Sequence, residues 1–275
     1  MTEKILNVLK NRGILLAAPI ALKDCIKTRE YKLKNAGFNL SNELFAIIIA
    51  VPYLTRQENK NLSSYAVSRD YHGYFSELFS AVIPELKSIF PDATFAGFAD
   101  NSPIDERHAA AVAGLGIIGE NGMLITEKYS SYVFLGEIIT DLPLPANAHD
   151  IQKCSGCGRC ASACPKDDCG QCLSELTQKK GELSDSEAES IIKYGSAWGC
   201  DICQVVCPHT VKAIKSQTIY TNIDYFKDNC IPHLTTELLS KMSDEEFAKR
   251  AYSWRKRDTI SRNLALLESN EHTNN

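Results

Sequence analysis

The longest unbroken apolar run of the chain, LFAIIIAV at 44–51, is closed by Pro52. A run of that length reads as a strand covered on both faces, and it is far short of the ~20 residues a membrane helix needs. Ahead of it, MTEKILNVLK places Ile5, Leu6, Val8 and Leu9 on one helical face, and GILLAAPIAL follows as a strand. Lys4, Lys10 and Arg12 before that apolar stretch superficially resemble the start of a signal peptide. No small-residue cleavage site follows, and Lys23, Asp24 and Cys25 come next, so the segment reads as the first helix and strand of a cytoplasmic domain. Further on, the pattern predicts an amphipathic helix around Tyr74–Ile89, a strand near Thr94–Ala99, a helix from Pro103, and strands at 122–126 and 131–140. Residues 1–147 therefore read as an α+β layered domain. DLPLPANAHD at 141–150 reads as a proline-bearing linker. Residues 148–212 form a cysteine-rich region with little room for regular structure, and 213–275 a helical C-terminal segment. In that last segment HLTTELLSKMSDEEFAKRAYSW is amphipathic and EHTNN reads as a frayed tail.

Composition narrows the picture only in part. With 275 residues, 44% of them apolar, the chain can bury a core and divide into two or three domains. A net charge of −4 gives no global field that would announce a nucleic acid or a membrane, so any such partner must meet a local patch. The cysteines number 11, odd and clustered, which argues against an oxidised disulfide framework.

The cluster itself, CSGCGRCASACPKDDCGQC from Cys154 to Cys172, carries the strongest chemical signal. Cys154, Cys157, Cys160 and Cys164, followed by Pro165, make the C-x2-C-x2-C-x3-C-P run of a bacterial ferredoxin, and Cys200, Cys203 and Cys207 with Pro208 make a second, incomplete one. Closely spaced thiolates wrap one face of a cubane, while the cysteine before proline ligates the other cluster. The pattern thus predicts two [4Fe–4S] clusters, one on Cys154, Cys157, Cys160 and Cys207, the other on Cys164, Cys172, Cys200 and Cys203. The missing ligand of the second run is Cys169 or Cys172, and Cys172 is the assignment made here. C-x2-C pairs also hold zinc, but the trailing prolines and the three-cysteine spacing favour iron–sulfur. Cys25, Cys169 and Cys230 are left as small buried apolar residues.

Outside the cysteines, NSPIDERHAAAVAGLGIIGENG predicts a helix with Ser102 as N-cap, Pro103 at N1, Asp105 at N3 and Gly114 as its stop. Taken alone, Asp105 is a carboxylate bonded to the amides of a first helical turn. GLGIIGENG has neither the glycine spacing of a dinucleotide loop nor a Walker lysine.

DERHAAAVAGLGIIGENGMLI, SSYVFLGEIITDLPL, the ferredoxin run, QCLSELTQKKGEL and WGCDICQVVCP resemble, in order and spacing, the epoxyqueuosine reductases. SRDYHGYFSELF at 68–79 and LLSKMSDEEFAKRAYSWRKRDTISRN at 238–263 extend the resemblance from about Tyr65 onward, whereas 1–60 match in general character only. The resemblance implies a cobalamin-dependent oxidoreductase that reduces epoxyqueuosine in the tRNA anticodon to queuosine. It implies a nitroreductase-like cobalamin domain, a ferredoxin-like two-cluster domain, and an external low-potential electron donor such as flavodoxin or ferredoxin, with no membrane. The family's proton-donor aspartate falls on Asp105. Thr126, Tyr129 and Thr140 on the strand pair, with Ser174 and the Asp201–Ile202 backbone, become corrin contacts, and Tyr71 and His72 could approach corrin or substrate.

For tRNA, KRAYSWRKRDTISR gathers Lys249, Arg250, Arg255, Lys256, Arg257 and Arg262 around Tyr252 and Trp254, suited to phosphates and unstacked bases. The chain departs from the family in lacking most of the HEAT-like C-terminus, in carrying Glu120 where a lysine is usual, and in a short Cys164–Cys172 spacing. Two other readings are a corrinoid-dependent reductase of a small molecule and a two-cluster electron carrier.

Overall fold

The computed structural model describes residues 1–273; Asn274 and Asn275, the end of the expected frayed tail, lie outside the described residues. The chain divides into two compact units. The first comprises Met1–Pro52, Tyr71–Cys157 and Ser216–Ile219; the second comprises Tyr53–Asp70, Gly158–Lys215 and the chain from Tyr220 onward.

The first unit is built on a four-stranded antiparallel sheet of β1 (Leu16–Ala21), β2 (Phe45–Pro52), β3 (Phe95–Phe98) and β6 (Val133–Thr140), in the order β1-β2-β6-β3. The apolar run of 44–51 is the central strand β2, buried along nearly its whole length because helices cover both faces. On one face the helix Glu106–Val112 lays Ala109, Ala110 and Ala111 against Ala46, Ile48 and Ala50. Its small side chains let helix and sheet approach closely. On the other face lies the helix Tyr71–Ile89, with Thr2–Lys10 packed beside it. Phe75 of that helix meets Gly136, where an added Cβ would stand 2.5 Å from the ring, so only glycine permits this approach. Tyr71 stacks on Phe134 with ring centroids 4.3 Å apart.

The strand expected at 122–126 is shorter. It is β5 (Leu124–Ile125), paired with β4 (Ile117–Ile118) in a small hairpin turned at Gly122, whose φ is +74°.

The second unit is helical. The cysteine-bearing stretch, expected to hold little regular structure, forms short helices at Arg159–Ala163, Lys166–Cys169, Leu173–Thr177, Asp185–Tyr194, Ile202–Val205 and Pro208–Lys215. Both Cys-Pro steps start one of them, Pro165 as N-cap and Pro208 as first residue, since proline gives up an amide that a helix start leaves unpaired anyway. The amphipathic segment 233–254 breaks in two at Met242. Thr235 caps Thr236–Lys241, and Ser243 with Glu246 forms a capping box on Asp244–Ala248. Trp198 and Tyr252 are fully buried in a core with Leu62, Leu239, Phe247, Ile260 and Leu264. Buried asparagines tie its segments: Asn263, on the helix Lys256–Thr273, donates to the Thr177 and Ala197 carbonyls at 2.7 and 2.9 Å, and Asn61 bridges both backbone groups of Leu234.

No helix among the described residues is long and apolar enough to cross a membrane.

Candidate functional site

In the first unit the chemistry gathers around the loop that leads from β3 into the helix Glu106–Val112. The helix begins one turn later than the sequence suggests. Asp105 is its N-cap, not its N3 residue, and accepts the His108 amide at 3.1 Å. Ser102 is drawn away from capping because its hydroxyl donates to buried Glu137 and accepts the Ile104 amide at 3.0 Å. Gly114, with φ +78°, does end the helix, one residue past its C-cap. Asp100, a non-glycine residue at φ +61°, stands exposed, and His72 Nε2 lies 3.4 Å from its carboxylate. That imidazole, assisted by Arg29 and Lys32, holds the Asp100 carboxyl below the usual range.

Glu106 and Glu137 are residues the motifs do not announce. Register places Glu137 opposite Ile48 and Phe98, on the face covered by the helix Glu106–Val112, and none of it is exposed. Burial pushes both carboxyls up, Glu106 to about 7; Glu106 further raises Glu137, while Asp100 and Asp105 raise Glu106 against the pull of its bond to the Asp100 amide. The signal was a single acid inside the otherwise apolar strand VFLGEIIT.

Of the corrin candidates, Thr126 and Tyr129 share one turn. The Thr126 hydroxyl donates to the Ser130 carbonyl at 3.0 Å and accepts the Tyr129 amide at 3.1 Å. Thr140 ends β6, seven residues past its start and so roughly 23 Å along an extended strand, and its hydroxyl accepts the Leu142 amide. All three are buried. In the second unit, Asp201 and Ile202 line a cavity of about 330 Å³ with Cys200, Lys60, Ser63 and Leu173. The Asp201 carboxylate accepts the Ser64 amide at 2.8 Å, the Ser63 and Ser64 hydroxyls, and Lys60 at 3.1 Å, so it clamps the 60–64 turn. Ser174, in the helix Leu173–Thr177, accepts Gln178 Nε2 at 3.1 Å.

None of the eleven cysteines is in a disulfide. Cys154 lies in the first unit, where its amide bonds Ile118 and its Sγ accepts the Glu120 amide at 3.4 Å; Cys157 is exposed. In the second unit Cys172, Cys200 and Cys203 lie close enough for the charges of Cys203 and Cys172 to raise Cys200, after burial, to about 11, with the Ile202 amide opposing them. The helices bearing Cys160 and Cys203 pack together. Cys169 is buried against Leu173, Leu176 and Ile191. Among the described residues no three His, Cys, Asp or Glu side chains close on a single ion.

The basic stretch is largely committed to the fold. Arg257 bonds the carbonyls of Leu239, Met242 and Ser243 and pairs with Asp244 at 3.0 Å. Arg262 holds the Lys179 and Gly181 carbonyls, Arg250 the Asn229 carbonyl, and Tyr252 is core. Trp254, 58% exposed, faces solvent with the Arg255 guanidinium 3.9 Å above its ring.

No protein-family model matches the chain. It is, however, 33% identical over 218 residues to an epoxyqueuosine reductase of Gloeobacter violaceus, across 74% of this chain and 68% of that one. The chain belongs to the epoxyqueuosine reductase family. A second family member, from Lactococcus garvieae, is 29% identical over 283 residues, covering 93% of this chain and 79% of its own. The fold is likewise that of the family. The epoxyqueuosine reductase structure from Streptococcus thermophilus matches 99% of this chain and 82% of its own with a TM-score of 0.77 at 23% identity. An epoxyqueuosine reductase in complex with an epoxyqueuosine-modified tRNA stem loop matches 97% of this chain and 80% of its own with a TM-score of 0.74 at 24% identity.

Proposed function

We propose that this protein is an oxidoreductase that reduces epoxyqueuosine in tRNA to queuosine in the cytoplasm, using iron–sulfur clusters and cobalamin and an external low-potential electron donor. Membership of the epoxyqueuosine reductase family carries the reading. A family structure that holds an epoxyqueuosine-modified tRNA stem loop supports epoxyqueuosine-bearing tRNA as substrate. The sheet unit takes the role of the nitroreductase-like, cobalamin-binding catalytic domain. The cysteine-bearing region, in which two helices start at Cys-Pro steps, takes that of the ferredoxin-like domain.

The cysteines fit the clusters. Cysteines outside any disulfide stand in the required spacing, and Cys172, Cys200 and Cys203 already gather within charge range of one another. We assign Cys164, Cys172, Cys200 and Cys203 to one cluster, and Cys154, Cys157, Cys160 and Cys207 to the other. Buried Cys169, packed among leucines and isoleucine, has no place in either. Bound clusters supply single electrons of low potential.

The side chains named for the corrin fit it less well. Thr126 and Thr140 are buried with their hydroxyls bound to the chain's own backbone, and Tyr129 is buried. The two threonine hydroxyls hold local structure.

The residue chemistry concerns the oxygen. An epoxide that loses its oxygen leaves a negative charge on that atom, which a positioned acid must protonate. Asp105 is that acid in our reading, held at the start of a helix by its bond to His108 so that its carboxyl does not wander. The deciding experiment is an anaerobic assay of epoxyqueuosine and queuosine in tRNA, with reconstituted protein and a low-potential reductant. Conversion supports the function; unchanged epoxyqueuosine with fully loaded protein overturns it.

A further inference from the structure

The helix Pro208–Lys215 has two different faces. Thr210 and Ala213 turn inward and are buried, while Pro208, Val211, Lys212 and Lys215, three and four residues apart along one side, are exposed. The short helix before it, Ile202–Val205, leaves Val205 49% exposed, and Val211 is 37% exposed, so apolar side chains stand uncovered next to two lysines. The charge here has one sign. Of 275 residues 34 are acidic, yet none falls between Ile202 and Ile223, and the neighbouring Asp201 is held by Lys60, Ser63 and Ser64. The helix Arg159–Ala163, packed on Ile202–Val205, contributes exposed Arg159 and no acid. A chain of net charge −4 thus sets cations beside apolar side chains at this place.

That place is where cluster ligands reach the surface of the unit. The Val211 amide bonds the Cys207 carbonyl at 3.0 Å, and Cys203 sits within Ile202–Val205. In the assignment above these two cysteines belong one to each cluster. An electron crosses protein only over short distances, so whatever delivers it must rest beside such ligands. Proteins that meet briefly to pass an electron bury little surface, and apolar contact with a charged rim suits them.

We propose that Val205, Val211, Lys212 and Lys215 form the docking face for the external electron donor, a small protein with an acidic surface around its redox group. The proposal rests on the epoxide-reduction reading and its cluster assignment. Each encounter oxidises the donor by one electron and reduces one cluster by one. Two encounters supply the two electrons that, with two protons, turn an epoxide into an alkene and water. The lysines steer the acidic partner, and the valines exclude water from the contact. A phosphate backbone would engage the lysines too, but it has no use for the valines.

Cluster-loaded, full-length protein and a flavodoxin of acidic surface test this, with binding read by calorimetry and cluster reduction by anaerobic stopped flow. Lys212→Glu with Lys215→Glu should weaken binding and slow reduction by about tenfold or more at low salt, and flatten the salt dependence of both. Reversing exposed Lys4 and Lys10, an equal change in net charge, should do neither. Val205→Ser with Val211→Ser should weaken binding about threefold or more and leave its salt dependence unchanged. In every variant the iron content should match the wild type, and reduction by the methyl viologen radical, too small to need a docking face, should not slow. Flavodoxin binding and reduction that are unchanged in both the lysine and the valine variants overturn the face, as does a wild type that takes electrons from viologen but not from flavodoxin. A lysine variant that loses tRNA binding and keeps flavodoxin reduction also overturns it, and makes the stripe an RNA contact. If flavodoxin reduces the clusters through this face while epoxyqueuosine stays unchanged, the parent reading falls and the docking face stands.

Discussion

The carboxylate of Asp105 accepts the backbone amide of His108 at 3.1 Å, which makes it the N-cap of the helix that covers the central sheet. The same atoms must therefore serve structure and, in the proposed reaction, proton transfer. Asp105→Asn separates the two. Asparagine caps a helix nearly as well as aspartate, so thermal stability should fall by only about 0.5–1 kcal/mol. Turnover should fall roughly 10²–10⁴-fold with clusters and cobalamin still bound. Near-normal epoxide reduction by the loaded variant would remove Asp105 from the chemistry.

Cys172 and Cys169 are separated in the same spirit. Cys172→Ser should remove part of the iron and sulfide and weaken the broad absorption near 400 nm, because it takes a thiolate from one cubane. Cys169→Ser should keep both clusters and cost about 1–3 kcal/mol, the penalty of a hydroxyl buried against Leu173, Leu176 and Ile191. Iron analysis with the opposite pattern would exchange the two assignments.

For RNA, the informative residues are Trp254 and Arg255. Trp254→Ala or Arg255→Glu should weaken tRNA binding, with a shallower salt dependence for the charge reversal. Arg257→Glu acts elsewhere. It strips three carbonyls and Asp244 of their donor and should destabilise the helical unit by about 2–4 kcal/mol. Denaturant unfolding distinguishes them, since the Trp254 and Arg255 variants should unfold like the wild type.

The burial of Glu106 predicts how stability depends on pH. Folding raises the Glu106 carboxyl from 4.5 to about 7, so above pH 4.5 the unfolded chain releases a proton that the folded chain keeps. Stability from this source is full below pH 4.5, declines as pH rises, and is lost by the time the folded group ionises near 7. The decline is on the order of 3 kcal/mol, and Glu106→Gln should flatten it. Thermal melts of the two proteins between pH 4.5 and 7.5 that run parallel would contradict the burial of this carboxyl.

Where one physical cause dominates, the sequence is readable. β2 is announced by an apolar run because helices cover both its faces, and the cysteine runs are announced because a cubane demands that spacing. Competition between distant residues hides the rest. Ser102 is as good a cap as Asp105 on paper and loses that role only because Glu137, thirty-five residues on, takes its hydroxyl. Tyr252 and Arg257 look like nucleic-acid contacts among their basic neighbours, yet the core and three open carbonyls claim them first. The hydroxyls of Thr126 and Thr140 are likewise spent on turns too local to leave a periodic signal.

The asparagine ties of the helical unit bear on when a living cell can finish this protein. Asn61, near the unit's first segment, waits for Leu234, and the Thr177 and Ala197 carbonyls wait for Asn263. On the ribosome the thiols between them emerge well before the residues that close the fold around them. Through that interval the thiols stand on an unfinished scaffold, so a scaffold fit to hold iron and sulfide waits for the segment around Asn263 to emerge.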